Sequence, residues 1–358
     1  IMAELIGVPY IQIAIAAAIP AFFYYFSLFA SVYAEAVRLG IEPLPEDQIP
    51  ILTKDDWVEA MRFIVPLVVV VTVLFAGRSA AMAGFSAIVA AIVTGVGIDI
   101  ISAEKRQHIS DYAKQLIDAL QKGGAQCAQI MVAVGSIGIV IAVVSLTGVA
   151  GNFGTLVAEL AEGSLFAALA VTALACLVLG MGLPTLPAYL FIVLFVGPVI
   201  GELGIEPLLV HMFVLYFGVL SNVTPPVAIA AYAAAPIADS NPMTTGVNAI
   251  KIAVVGFIIP FILIYYPSIS LVLHFDWTQF IWIMVRMPIA VWLIATAFIG
   301  CDQVPLSFVE RVLRAIFAIV MLIVDPTMQI AGLGLGLGII FIHRVKVRRK
   351  QAASQASG

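Results

Sequence analysis

Long, continuous apolar runs recur along the whole chain and predict helices. Several of them exceed the roughly 20 residues that a helix needs to cross a bilayer core. Because the runs do not alternate with polar residues, a bacterial outer-membrane barrel is excluded. The pattern therefore predicts an all-α fold, a polytopic transmembrane helical protein.

The first part of the chain, residues 1–98, carries three predicted spans. One covers residues 9–33, and two more follow at 61–76 and 80–98 after a polar, acidic loop. Residues 99–126 are the only long charged stretch before the C-terminal tail, and their spacing gives one apolar and one charged helical face. We expect this stretch to be an interfacial connector.

Residues 127–275 have a different character, because their helices are shorter and are interrupted. After a predicted span at 127–150, the apolar run at 164–179 is near the lower limit for crossing a membrane. It stops at the sequence GMGLPTLP, and a second short run follows at once. Irregular backbone at membrane depth is tolerated only where it is buried in protein or lines a cavity. The pattern therefore predicts a re-entrant hairpin over residues 164–200.

The next helix, residues 208–235, contains the sequence SNVTPP at 221–226. Pro225 and Pro226 have no amide hydrogen, so carbonyls one turn upstream lose their helical partners. We interpret this segment as a broken helix. A further span is predicted over residues 249–273.

Additional helices are expected over residues 276–343, before a basic tail at 344–358 whose polar end is expected to be disordered. Arg286 lies within one of these helices but close to its end, which favours a side chain that reaches the membrane surface. Lys251 is interpreted in the same way, as a side chain that anchors its helix at the membrane surface rather than one that contacts substrate. The basic tail and Arg38 are expected inside the cell, and residues 201–206 outside.

Composition narrows the class of protein further. Of 358 residues, 63% are hydrophobic and 11% are charged, with a mean hydropathy of +1.13, which excludes a soluble globule. The net charge of -4, with basic residues concentrated only at the C-terminus, gives no indication of a nucleic-acid partner.

A weak internal similarity links two parts of the chain. Residues 16–25 and 255–267 each contain a proline in an apolar helix followed by a pair of tyrosines. The predicted topology gives them opposite directions across the membrane. Such inverted repeats are typical of secondary transporters, which build their binding site near the bilayer midplane.

The two interrupted segments carry the candidate chemistry. A transporter that moves a cation with an anion needs carbonyl and hydroxyl oxygens for the cation and positive helix ends for the anion. The hairpin turn and the broken helix supply both, and both are expected to reach midplane depth and meet.

Together, residues 180–185, Pro198 and residues 222–227 resemble the large membrane subunit of tripartite ATP-independent periplasmic (TRAP) transporters, most closely the fused-permease branch. The resemblance implies an elevator-type fold with two inverted repeats. It also implies sodium-driven uptake of an organic anion, a carboxylate, delivered by a soluble extracytoplasmic binding protein. The implied location is a bacterial or archaeal cytoplasmic membrane, where lipid is the remaining partner.

On this basis, sodium is the expected coupling ion and no other cofactor is expected. The predicted sodium ligands are Gly180, Gly182, Thr185, Ser221, Asn222, Val223 and Thr224. The predicted substrate contacts are Pro184, Thr185, Asn222, Thr224 and Pro225.

One departure from the family concerns the start of the chain. The family's first hairpin and first interrupted helix would lie before Ile1, so the sequence is interpreted as a C-terminal portion that should not transport alone. Residues 1–98 would then contain the end of the first repeat.

Two other functions remain open. One is a related elevator-type permease that is driven by protons or works without a binding protein. The other, an intramembrane enzyme, is less favoured because the sequence shows no paired carboxylates, Ser/His or Ser/Lys pair or metal-ligand spacing. We therefore expect a transporter component rather than an enzyme.

Overall fold

The structure, a computed structural model, describes residues 1–42, 44–45, 49, 51–101 and 109–357. In this part of the chain the secondary structure is helical, apart from an isolated β-bridge between Cys301 and Pro305. Six helical segments of it are long and apolar enough to cross a membrane. The all-α, polytopic fold class predicted from the sequence is confirmed.

The described chain contains both long helices and short ones. Those of the first 147 residues are α1 (Met2–Ile6), α2 (Tyr10–Leu39), α3 (Lys54–Phe75), α4 (Ala80–Ile101) and α5 (Ile109–Thr147). The next are α6 (Val149–Gly163), α7 (Leu165–Gly180), α8 (Thr185–Gly201), α9 (Pro207–Leu220) and α10 (Ile229–Ala234). The last are α11 (Pro242–Ala253), α12 (Ile259–Tyr265), α13 (Trp277–Ile299), α14 (Phe308–Leu322) and α15 (Pro326–Ser357).

Backbone contacts divide the chain into two compact units. The first contains Ile1–Ala14 and Glu42–Gly135, and the second contains Ile15–Ile41 and Ser136–Gly358. All the residues of the candidate site belong to the second unit.

In the first unit, α3 and α4 form an antiparallel pair held by polar contacts at one end. Thr53 and Asp56 cap α3 reciprocally, with the Asp56 carboxylate accepting the Thr53 amide hydrogen at 2.7 Å. Arg62 of α3 forms an ion pair with the buried Asp99 of α4, and the Tyr112 hydroxyl of α5 donates to the same carboxylate at 2.8 Å. The carboxylate of Asp99 therefore connects three helices.

Two predicted boundaries differ from the observed ones near this unit. The sequence pattern predicts a connector at 99–126 and a separate span at 127–150. In the structure, α5 runs without a break for 39 residues, from Ile109 to Thr147, and includes most of both. Residues 102–108 of the connector lie outside the described residues.

The helix predicted at 249–273 is also different, because it starts earlier and is interrupted. The Asn241 side chain caps α11 by accepting the amide hydrogens of Met243 and Thr244, which sets the start at Pro242. A 3-10 turn, Val254–Phe257, separates α11 from α12. Pro260 lies in the first turn of α12 and has no amide hydrogen to continue the α11 ladder.

The C-terminal tail is helical, which corrects the expected disorder of its polar end. Helix α15 continues through the basic residues to Ser357. Asp325 begins it, with one carboxylate oxygen accepting the amide hydrogens of Thr327 and Met328 at 2.9 and 3.0 Å.

Helices α13 and α14 cap each other's C-terminal ends with arginines. Arg286 of α13 donates to the Met321 carbonyl in the last turn of α14 at 2.6 Å. Arg311 of α14 donates to the carbonyls of Ala297 and Phe298 in the last turns of α13. Cations at helix C-termini are favourable because they face the negative end of the helix dipole. Arg286 is fully buried, so the expectation that it reaches the membrane surface is wrong.

A second buried arginine organises an ion network in the same helices. Arg314 donates to the Asp302 carboxylate at 2.9 Å, to Thr296 at 2.8 Å and to Glu310 at 3.3 Å. His343 of α15 contacts the same Glu310 oxygen at 2.7 Å. Arg314, Asp302 and His343 are all at most 4% exposed, so the polar groups of this cluster bond to one another rather than to water.

Substituting Arg314→Gln should destabilise the protein by about 3–5 kcal/mol, because two carboxylates lose their shared cation. The measurement is the thermal unfolding midpoint of the purified protein in detergent. Arg78→Gln, which removes an exposed arginine from the turn between α3 and α4, is the control and should leave the midpoint unchanged. Equal midpoints for the two variants would show that the network contributes nothing.

Candidate functional site

The first element of the candidate site is a pair of short helices, α7 and α8. They have 16 and 17 residues, or about 24 and 26 Å of helix. That is less than the roughly 30 Å of a bilayer core. The Ser164 hydroxyl caps α7 by accepting the Ala167 amide hydrogen, and Gly182 turns the chain with a φ of 81° that favours glycine. The predicted pair of short helices is therefore present.

The second element is the interruption after α9. The helix ends at Leu220, continues as a 3-10 turn over Ser221–Val223 and resumes as α10 after Ala228. Pro225 and Pro226 cannot donate, so Ser221 and Asn222 lack their usual partners four residues later. The Thr224 amide instead bonds the Ser221 carbonyl at 3.2 Å.

Two hydroxyl groups add hydrogen bonds to carbonyls in the last turn of α9, next to the break. The Ser221 hydroxyl donates to the Gly218 carbonyl and the Thr224 hydroxyl to the Leu220 carbonyl, each at 2.7 Å. A hydroxyl that donates its hydrogen keeps its oxygen lone pairs. Both oxygens are thus held in place and can accept a hydrogen bond or bind a cation.

The two elements meet at Gly180, the last residue of α7. A methyl group added to Gly180 would lie 2.6 Å from the Ser221 hydroxyl oxygen and 3.1 Å from its Cβ. A methyl group on Gly182 would lie 3.8 Å from Val227. The absence of a side chain at Gly180 therefore allows the end of α7 to lie directly against the break.

Two other glycines enclose the break from different directions. A methyl group on Gly246 of α11 would lie 3.0 Å from the ring of Pro225. One on Gly256 would lie 2.9 Å from the Tyr24 ring of α2 and 3.2 Å from Leu220. Three backbone segments thus approach the interrupted helix at contact distance.

The predicted site residues fall into three environments. Gly180 and Ser221 are buried and in contact. Those that are half-buried at the break are Asn222, Val223, Thr224 and Pro225. Those that are exposed at the hairpin turn are Gly182, Pro184 and Thr185. The contacts described above join the two motifs through Gly180 and Gly182, and Thr185 lies at the exposed start of α8.

The sequence does not predict two side-chain contacts, one at the break and one between α8 and α9. The Tyr232 hydroxyl donates to the Pro226 carbonyl at 2.7 Å and so satisfies an acceptor within the break. The Tyr189 hydroxyl of α8 pairs with His211 Nδ1 of α9 at 2.7 Å. The sequence does contain one indication of the second pair, because Tyr189 and His211 are each a polar side chain in a nearly apolar helix.

The oxygens at the break belong to carbonyls, hydroxyls and an amide. Such oxygens suit a hard cation better than a transition metal. Among the described residues, no group of three His, Cys, Asp or Glu side chains is arranged to hold a metal ion. The break therefore presents neutral oxygens of the kind that suit a hard cation.

The family profile described as "Tripartite ATP-independent periplasmic transporter, DctM component" matches residues 1–278. The chain belongs to this family. It is a membrane permease component of a TRAP transporter, and the hairpin and the break both lie within the matched region. Helices α14 and α15, and nearly all of α13, lie beyond it. No curated protein and no solved structure gives a match to the chain.

Substituting Gly180→Ala should destabilise the permease by about 1–3 kcal/mol, because the added methyl group overlaps Ser221. The matched control is Gly201→Ala, which changes the last residue of α8, where nothing lies within 4 Å of the added methyl group. Thermal unfolding in detergent compares the two. If both variants unfold at the parent's temperature, α7 does not lie against the break as described.

Proposed function

We propose that this DctM component couples sodium to the uptake of an organic carboxylate, which an extracytoplasmic binding protein delivers at a bacterial or archaeal cytoplasmic membrane. The observation that carries the proposal is the contact between Gly180 and Ser221. It joins the hairpin to the interrupted helix at a place where backbone carbonyls are free of their helical donors.

Sodium fits the break because the available ligands are neutral oxygens. We propose that the carbonyls of Gly180, Gly182 and Val223 bind the ion, with oxygens of Ser221, Asn222, Thr224 and Thr185 completing its shell. Hydroxyl and carbonyl oxygens at a helix interruption are the usual sodium ligands in secondary transporters. A proton-coupled permease would need a titratable group at this place, whereas Asn222 carries a neutral amide.

A carboxylate substrate needs positive charge at its binding site. The sequence around the hairpin and the break supplies neither a lysine nor an arginine. No lysine or arginine occurs between Lys122 and Lys251. The remaining sources are the bound cation, the Asn222 amide and the positive end of α8, which begins at Thr185. We propose that Pro184, Thr185, Asn222, Thr224 and Pro225 contact the carboxylate.

This arrangement gives a physical basis for coupling. If the bound sodium supplies much of the positive charge that holds the carboxylate, each ligand raises the affinity for the other. Sodium that touches both elements also favours the state in which the hairpin is closed on the break, by its differential affinity for that state.

The sodium proposal is tested by Asn222→Ala and Thr185→Val in the transport-competent permease. Losing one oxygen ligand should raise the sodium concentration for half-maximal uptake about tenfold. Uptake of a radiolabelled carboxylate, with binding protein present and sodium varied against choline, measures this.

Matched controls come from α6, away from the site. Asn152→Ala and Thr155→Val remove the same groups from exposed positions, and the Thr155 hydroxyl donates only to the Gly151 carbonyl of its own helix. These variants should keep the parent's sodium dependence. If the site variants keep it too, the residues are helix breakers and sodium binds elsewhere.

A further inference from the structure

A basic cavity lies in the second unit, and its lining residues include none of those at the hairpin turn or the break. It has a volume of about 320 Å³ and is lined by Arg38 of α2, Lys251 of α11 and Arg311 of α14, together with Glu35, Asn248 and Phe298. It connects helices of the family-matched region with helices that lie beyond the match.

The cavity carries an excess of positive charge. Glu35 supplies the one carboxylate among its lining residues and pairs with Arg38, with Arg38 Nε 2.9 Å from Glu35 Oε2. Lys251 and Arg311 have no carboxylate of their own within the lining. The neighbouring Asp302 and Glu310 are already paired with Arg314.

The cations in this cavity keep unused hydrogen-bond donors. Lys251 Nζ has three donors and uses one on the Asn248 amide oxygen at 3.3 Å. Arg311 has five and uses Nε and Nη2 on the last carbonyls of α13. Gly300 makes room for this guanidinium, because a methyl group there would lie 3.2 Å from its carbon. Arg311 is thus held in place, while the remaining N–H groups of its guanidinium are available to bind a ligand.

The position of the cavity points to a membrane surface. It lies at the C-terminal end of α13 and the N-terminal end of α14. The same end of α14 contacts His343 of α15, next to the basic tail. The excess of basic residues at this end is the signature of the cytoplasmic side. The remaining walls include the apolar side chains of Ile252, Phe298 and Ile299.

We propose that this cavity binds the phosphate group of an anionic phospholipid from the cytoplasmic leaflet. The phosphate would accept hydrogen bonds from Lys251, Arg38 and Arg311, and the acyl chains would follow the apolar wall. Basic pockets between transmembrane helices on the cytoplasmic side recognise anionic headgroups in this way. A soluble organic phosphate offers the same phosphate group but has no acyl chains to contact the apolar wall.

The test is a titration of the purified protein, in an uncharged detergent, with phosphatidylglycerol, phosphatidylcholine or glycerol 3-phosphate. The thermal unfolding midpoint gives an apparent dissociation constant. Phosphatidylglycerol should raise the midpoint more than phosphatidylcholine does. Lys251→Gln and Arg38→Gln should each weaken its apparent affinity about fivefold. Lys251→Arg should retain it, because the charge is kept.

The control is Lys122→Gln. Lys122 is 73% exposed and pairs with Asp118 in the first unit. This variant should bind phosphatidylglycerol with the parent's affinity. Native mass spectrometry of retained lipid is a second measurement for any variant that unfolds too early. Phosphatidylglycerol binding that both glutamine variants retain would overturn the proposal. Equal stabilisation by glycerol 3-phosphate would overturn the lipid as the source of the phosphate.

Discussion

Backbone amides and carbonyls at membrane depth have no water to bond with, so an interrupted helix must find partners inside the protein. In this permease, two consecutive prolines remove two donors from the helix after Leu220. The hydroxyls of Ser221 and Thr224 donate to carbonyls in the last turn of α9, and the Tyr232 hydroxyl donates to a carbonyl within the break. Gly180 brings the end of another helix against the same place. The features that keep the break stable are therefore the ones that collect oxygen ligands there.

The lack of water at membrane depth also limits where charged side chains lie in the chain. The segment between Lys122 and Lys251 has no lysine or arginine, although it contains the hairpin and the break. Beyond the family match, Arg286 and Arg314 are fully buried, Arg286 donating to a carbonyl at the end of α14 and Arg314 pairing with carboxylates. Fixed positive charge thus serves to join α13, α14 and α15, while the proposed transport site depends on a cation that can bind and leave.

The sequence was sufficient to predict the helical class, the two short helices and the break, because Gly and Pro act on their own local backbone. It did not predict which glycine makes the close contact, since that depends on the rotation of α7 against the 3-10 turn. The burial of Arg286 also depends on how helices pack, because its hydrogen-bond partner is a carbonyl 35 residues away in the sequence. The local sequence therefore did not indicate it. The continuity of α5 was missed because its charged and apolar parts differ in composition, although both form helix.

We propose that the hairpin turn and the break form one sodium site. Hydrogen–deuterium exchange of the purified permease, in sodium against choline at equal ionic strength, tests it most directly. Sodium should slow exchange at residues 180–188 and 221–228 together, with residues 207–220 of α9 as an unchanged internal reference. Protection of one segment alone, or of neither, would contradict the claim.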